Sequence, residues 1–192
     1  AIVAVGLPKT EHPNADDWTR GEVQVYAYDS GTERWNRRGT ALLGGYADDD
    51  NLGYSVAISA DGNVVAAGAY KGNSLYGYAR VYAWDANDYA QRGLDMDGTS
   101  QYMYYGESVS LSADGEVVAV GGGGHNSAVA GAVGVYAWNG VDAHEPVGAL
   151  MPGRADEGGA SDVMYAFTEH VMAMGMTPSS EIAQRFANNL VQ

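Results

Sequence analysis

The sequence repeats itself at an interval of 53 residues, and this repeat constrains the fold more than any other feature. Residues 53–68 read GYSVAISADGNVVAAG, and residues 106–121 read GESVSLSADGEVVAVG. The first glycine, the Asp-Gly pair and the last glycine of one copy each lie 53 residues from their counterparts. A partial copy, IVAVG at residues 2–6, aligns with residues 64–68. A repeat of this length indicates a supersecondary unit that packs against copies of itself.

A second signature follows each copy. It reads Val-Tyr-Ala and then an aromatic residue, at residues 25–28, 81–84 and 135–138. Side chains of alternating character are typical of a β-strand. The stretch between the two signatures is longest between Gly6 and Tyr26. Because loops tolerate insertions, we expect a loop there.

Each complete unit contains four predicted strands. In the second unit these are residues 55–59, 64–68, 79–84 and 89–94. Asp61-Gly62 separates the first two, and Asp-Gly between apolar runs predicts a type I′ hairpin turn in which both central residues have positive φ. Four short antiparallel strands per unit are typical of a β-propeller blade.

The predicted fold is therefore mainly β: a partial β-propeller over residues 1–150, with four-stranded antiparallel blades and a C-terminal α-helical hairpin. The predicted units are a partial blade at 1–45, two blades at 46–98 and 99–150, and a tail at 151–192. Closed propellers have about four to eight blades. The open arc is thus expected to belong to a longer protein, to be completed by a partner, or to close differently, as a sandwich.

The tail follows a different period from the repeats. Apolar residues recur every three or four positions over 161–174 and again over 177–191, which predicts two amphipathic helices. Phe167, Met174 and Phe186 lie on their apolar stripes. This Met-rich face either packs on the sheets or docks onto another protein, for which adaptable Met side chains are suited.

The repeats resemble the FG-GAP repeats of integrin-α-type β-propellers, in the divergent form found in microbial and algal proteins. The likeness rests on the pattern Gly-x-Ser-Val…Ser-x-Asp-Gly-x-x-Val-Ala-x-Gly followed by Val-Tyr-x-Trp, and it covers residues 1–150. Gly6-Leu7-Pro8 fits the Gly-Ala-Pro motif that closes the family's second strand with one change, and Gly68-Ala69 keeps its first two residues. The resemblance implies a propeller used in adhesion or protein binding. In integrin-type blades it also implies calcium held by alternating carboxylates.

Composition excludes several classes of partner and of chemistry. The chain has 10 Lys and Arg against 24 Asp and Glu, a net charge of −14, and no Cys. This charge argues against nucleic acid and against anionic membranes. No apolar stretch approaches the 20 or so residues needed to insert across a bilayer. The lack of Cys excludes thiol catalysis and Cys-ligated zinc. The acidic balance favours an extracellular or lumenal setting.

Two acidic stretches are the candidate calcium ligands. Asp48 and Asp50 lie in the loop before the first Gly-x-Ser, and Asp95 and Asp97 resemble the opening of an EF-hand loop. The alternative is that both are solvated acidic loops. No other cofactor is predicted.

A cluster of tyrosines is the candidate interaction surface. Tyr102, Tyr104 and Tyr105 come directly before Gly106, and Tyr54 lies in the equivalent loop of the other copy. Tyr is favoured at protein interfaces and stacks on sugars. The alternative role is packing between blades.

The sequence does not predict an enzyme, because it lacks an arrangement of nucleophile and base. We expect a non-catalytic protein–protein interaction or scaffold module, a segment or subunit of a larger assembly that binds other protein subunits. The alternative is an adhesion propeller that binds calcium or a glycan.

Overall fold

The computed structural model describes residues 1–10, 20–45, 49–124 and 129–152. Over these residues the chain is mainly β, as predicted, and its strands form three antiparallel sheets. The helical hairpin predicted for the tail, with Phe167, Met174 and Phe186, lies outside the described residues.

The strands follow the repeats in chain order. Sheet 1 contains β1 (Ile2–Leu7), β2 (Glu22–Asp29), β3 (Arg34–Arg37) and β4 (Leu42–Leu43). Sheet 2 contains β5 (Ser55–Ile58), β6 (Val64–Ala69), β7 (Tyr78–Trp84), β8 (Tyr89–Gln91) and β9 (Met96–Asp97), with a short helical turn, α1 (Gly72–Leu75), between β6 and β7. Sheet 3 contains β10 (Ser108–Leu111), β11 (Val117–Gly122), β12 (Ala132–Trp138), β13 (His144–Pro146) and β14 (Met151–Pro152).

The three sheets share one topology. The strand order is β5-β6-β7-β8 in sheet 2 and β10-β11-β12-β13 in sheet 3, with β9 and β14 also pairing β7 and β12. Sheet 1 has the order β1-β2-β3, with β4 on β2. Its β1 corresponds to β6 and β11. Among the described residues, therefore, sheet 1 has no counterpart of β5 or β10, the first strands of the other two sheets.

The Asp-Gly hairpins form, but not with the predicted turn. β5 pairs antiparallel with β6, as expected. Gly62 has a φ of 73°, whereas Asp61 does not have a positive φ, so the type I′ prediction was wrong. The connection is longer, because the Ser59 hydroxyl donates to Asp61 and accepts from the Val64 N–H. These side-chain hydrogen bonds replace the two-residue turn with a five-residue loop.

Sheet 2 is covered on both faces, and this arrangement produces two hydrophobic cores. Val65, Ala67 and Ala69 pack against Val23 and Val25 of sheet 1. From the opposite face, Val64, Ala66 and Val81 pack against Val118 and Val120 of sheet 3. Successive side chains of a strand point to opposite faces. The unbroken apolar run of β6 therefore serves both cores, and all six of its residues are buried.

Glycine sets the spacing between neighbouring sheets. A Cβ on Gly6 would collide with the carbonyl oxygen of Gly53, and a Cβ on Gly68 would collide with that of Gly106. The backbones of successive repeats therefore touch at equivalent points. This close approach explains why the repeat carries glycine at both ends of its motif.

Candidate functional site

Four tyrosines form a continuous group at the edge where the repeats begin. We call Tyr54, Tyr70, Tyr102 and Tyr104 the tyrosine rim. The ring centroids of Tyr54 and Tyr70 are 4.3 Å apart, those of Tyr70 and Tyr104 are 5.8 Å apart, and those of Tyr102 and Tyr104 are 6.4 Å apart. Tilted and edge-to-face contacts at these distances are favourable for aromatic rings. The rim thus joins a loop of sheet 2 to the loop that precedes sheet 3.

Backbone hydrogen bonds hold the two loops of the rim together. The Tyr102 N–H donates to the Leu75 carbonyl, and the Tyr105 N–H donates to the Tyr76 carbonyl. Tyr102 and Tyr104 have φ values of 66° and 55°, in the left-handed region that a non-glycine residue seldom occupies. The fixed backbone therefore orients the two rings.

The rim is accessible and carries a positive charge at one point. Tyr54 is 48% exposed and Tyr102 is 38% exposed. The Lys71 Nζ lies 5.6 Å from the centroid of the Tyr70 ring. The surface combines apolar ring faces, hydroxyl groups and one ammonium group in a chain with few basic residues. It can bury ring faces and exchange hydrogen bonds with a ligand.

Tyr105 does not belong to this surface. Its side chain is 1% exposed and packs in the core between sheets 2 and 3. Its hydroxyl lies 3.0 Å from that of Tyr136, and burial raises its pKa. The interaction role predicted for Tyr105 is therefore corrected to a packing role. The same repeat position carries Leu52, which is 0% exposed. An apolar residue at the equivalent position is the sequence signal that identifies this position as internal.

Of the predicted calcium ligands before the first Gly-x-Ser, Asp48 lies outside the described residues. Asp50 is fully buried and accepts a hydrogen bond of 2.9 Å from the Tyr78 hydroxyl. The Gly45 N–H donates to the same hydroxyl at 3.2 Å. This carboxylate contributes to the contact between sheets 1 and 2.

The second candidate pair, Asp95 and Asp97, lies near the Arg80 guanidinium. Asp95 accepts hydrogen bonds from the Arg80 Nε at 2.7 Å and Nη2 at 2.5 Å. Burial, and then the neighbouring Asp95 carboxylate, raises the pKa of Asp97. Over the described ranges, no three His, Asp or Glu side chains gather where they could hold a metal ion. Arg80 supplies the positive charge beside Asp95.

Two arginines join the sheets in a way that the sequence reading missed. The Arg38 guanidinium lies 4.3 Å from the Trp84 ring centroid and donates to the Gly62 carbonyl at 2.7 Å. Arg92 repeats this geometry, 4.4 Å from Trp138. It donates to the Gly115 carbonyl at 3.2 Å and also to Glu116. We call each arrangement an arginine clamp. Their recurrence at equivalent repeat positions is the signal that could have revealed them.

The Trp138 side of the second clamp includes a half-buried histidine. The His144 and Trp138 ring centroids are 5.0 Å apart. Neither ring nitrogen of His144 has a hydrogen-bond partner in the structure. Desolvation, and then the charge of Arg92, lowers the pKa of His144 to about 4. This histidine is neutral at physiological pH.

No protein-family model matches the chain, and no curated protein matches it either. Within the described part of the chain, no helix is both long and apolar enough to cross a bilayer.

Proposed function

We propose that the chain is part of a β-propeller that acts as a non-catalytic protein–protein interaction module, with the tyrosine rim as its contact surface. The observation that carries the proposal is the unbroken series of ring contacts from Tyr54 to Tyr102, in which both end rings are exposed. A scaffold role within a larger assembly follows from the same surface.

The chemistry of the rim supports protein binding. Tyrosine supplies a large, rigid contact area at a low cost in conformational entropy, and it is enriched in protein interfaces. Mutual contact between the rings and the hydrogen-bonded loops limits their motion before binding. A preorganised surface loses less entropy when a partner docks.

The stacking of the sheets supports the propeller. Three sheets of related strand order pack face to face, and the same glycine contacts and arginine clamps recur between successive pairs. Radial repetition of such antiparallel sheets is the principle of a propeller. The FG-GAP resemblance of the sequence supports the same architecture.

Selection from a displayed peptide library tests the interaction role. The immobilised protein is panned against the library, and the enriched peptides are then titrated against a Tyr54→Ser/Tyr102→Ser double variant. We expect the variant to lose binding at least tenfold while its circular dichroism is unchanged. A Leu94→Ser/Val141→Ser variant, changed at side chains that are 77% and 79% exposed away from the rim, is the matched control. Enrichment of no peptide, or equal binding by both variants, would contradict the proposal.

The exposed tyrosine faces also favour a second candidate, a carbohydrate-binding propeller that acts in adhesion. A glycan array probed with wild type and the Tyr54→Ser/Tyr102→Ser variant separates the two candidates. Binding to glycans that the double variant loses, without peptide enrichment, would favour the carbohydrate role. Calorimetric titration with Ca²⁺ addresses its calcium-dependent form. In that form, the heat is expected to disappear in an Asp97→Asn variant.

A further inference from the structure

The outer face of sheet 1 has the residue pattern of a face that is buried elsewhere in the molecule. In the strand registers, Gly6 pairs with Val23 as Gly68 pairs with Ala79, so β1 and β6 are equivalent position by position. The exposed fractions are 37% for Val3, 42% for Val5 and 37% for Leu7, against 0% for their counterparts Val65, Ala67 and Ala69. In sheet 2, those counterparts pack against the preceding sheet. The equivalent face of sheet 1 has no preceding sheet among the described residues.

An aromatic pair on sheet 1 is likewise exposed where its counterpart in sheet 2 is covered by the preceding sheet. Tyr28 and Trp35 have ring centroids 5.3 Å apart and are 40% and 47% exposed. Their counterparts in sheet 2, Trp84 and Tyr89, are 5.0 Å apart and lie under the Arg38 guanidinium of the preceding sheet. Two features of one face, aliphatic and aromatic, therefore match a surface that another sheet covers.

The far face of sheet 3 carries the complementary pattern. Val133 and Val135 occupy the places of Ala79 and Val81 in sheet 2, according to their pairing with β11 and β6. Ala79 and Val81 are fully buried against sheet 3. Val133 and Val135 are only partly buried. Among the described residues, the two outermost faces of the stack are thus built like its internal contacts.

We infer that a second copy of this chain stacks the far face of its sheet 3 on the outer face of sheet 1. The contact continues the packing of sheet 1 on sheet 2 and of sheet 2 on sheet 3. It is heterologous, because different surfaces of the two copies meet. Two copies joined at both ends present six sheets, within the range of about four to eight found in closed propellers. This closure rests on the propeller architecture proposed above.

Charge determines the conditions under which the dimer is observed. Each copy carries a net charge of −14, so repulsion opposes their approach. At about 0.5 M salt the Debye length is only a few ångströms, and this repulsion is largely screened. Association is therefore expected to strengthen as ionic strength rises.

Sedimentation velocity of the full chain at about 0.5 M NaCl tests the inference. We expect twice the 20.2 kDa mass of one chain for wild type, and monomer for Val5→Asp and for Val135→Lys alone. An equal mixture of the two variants retains one intact pair of faces, so a one-to-one dimer is expected to return. Leu94→Asp, at a side chain 77% exposed outside both faces, is the control and is expected to remain dimeric.

Several results would overturn the inference. A monomeric wild type at about 100 µM would do so. A dimer that persists in Val135→Lys but is lost in Val5→Asp would also do so, because the outer faces of sheet 1 would then pair with each other. If Val135→Lys unfolds, Met151→Lys on the same face replaces it, since Met151 pairs with Val133. Tyrosine-rim variants are expected to leave the mass unchanged, so failure of the rim proposal and failure of this one are distinguishable.

Discussion

At the scale of single residues, His144 shows how burial fixes a protonation state. Its ring stacks on Trp138, and its nitrogens lack hydrogen-bond partners in the structure. The site favours the neutral ring, because protonation would place a charge beside Arg92 with poor solvation.

This burial predicts a specific pH dependence. The folded pKa of His144 is lowered to about 4, whereas an unfolded histidine titrates near 6.5. Between these values the unfolded chain binds more protons, so stability falls as the pH falls from 6.5 towards 4. Allowing for partial exposure, we expect a loss of about 1–2 kcal/mol. Urea unfolding at pH 7 and at pH 4.5 measures it.

A His144→Leu variant keeps the apolar packing and removes the titration. Its free energy of unfolding is expected to change less than that of wild type over this interval. Asp61 and Asp114 contribute at lower pH, because hydrogen bonds from Ser59 and Ser112 lower their pKa values below 3.8. An equal pH dependence in wild type and variant would contradict the assignment to His144.

At the scale of secondary-structure elements, two equivalent serines differ in what they bind. The Ser55 hydroxyl, on β5, donates to the Gly106 carbonyl at 2.8 Å and so joins sheets 2 and 3. Ser108, on β10, is 3% exposed, and its hydroxyl has no hydrogen-bond partner in the structure. The repeat therefore supplies a matched pair for one substitution.

We expect Ser55→Ala to lower the free energy of unfolding by about 1–2 kcal/mol, because it leaves a carbonyl unsatisfied. Ser108→Ala removes a buried hydroxyl that already lacks a partner, so it is expected to be neutral or to stabilise by up to about 1 kcal/mol. Denaturant titration of both variants gives the comparison. Equal losses would show that the Ser55 hydrogen bond contributes nothing specific.

The repeat made the strands predictable, and a glycine together with a contact between repeats explains the main departure. The third strand, predicted at 79–84, appears as Tyr78–Trp84. The fourth, predicted at 89–94, is shorter, at Tyr89–Gln91, and a separate strand, Met96–Asp97, follows beyond the predicted range. Gly93, with a φ of 81°, and the turn of the chain toward the Arg92 clamp interrupt the fourth strand. That contact is with a residue of the next repeat, and a local pattern does not contain it.

The candidate site was predictable in part. The sequence places Tyr102, Tyr104 and Tyr54 near equivalent loops, but adjacency in the chain does not show which ring faces inward. Tyr105 is buried because Gly134 leaves room for its hydroxyl on the neighbouring sheet. Tyr70 reaches the rim from a different loop, the connection between β6 and β7. Both outcomes depend on contacts between segments distant in sequence.

At the scale of the whole molecule, negative charge surrounds a predominantly apolar stack. The net charge is −14, and the described residues contain two ion pairs, Arg80–Asp95 and Arg92–Glu116. Repulsion over the surface acts at long range, whereas these pairs are short and partly buried. Added salt therefore screens repulsion more than attraction.

We expect the melting temperature to rise between about 10 mM and about 150 mM NaCl, where the Debye length shortens from roughly 30 Å to 8 Å. Measuring it by calorimetry on the Val5→Asp variant keeps self-association from contributing. A fall in melting temperature would show that ion pairs, and not net repulsion, dominate the electrostatic free energy.

Near-identical modules in one chain can exchange places during folding, and such misassembly is a common failure of repeat proteins. Two pairs of contacting residues, which differ between successive sheets, oppose such an exchange here. The Tyr105 side chain extends into the space that a side chain at position 134 would fill. One repeat earlier, the position equivalent to Gly134 carries Arg80, and the position equivalent to Tyr105 carries the smaller Leu52. If sheet 2 docked where sheet 3 belongs, the phenol would meet a guanidinium. The order of the sheets is thus specified by which side chains fit together at each contact.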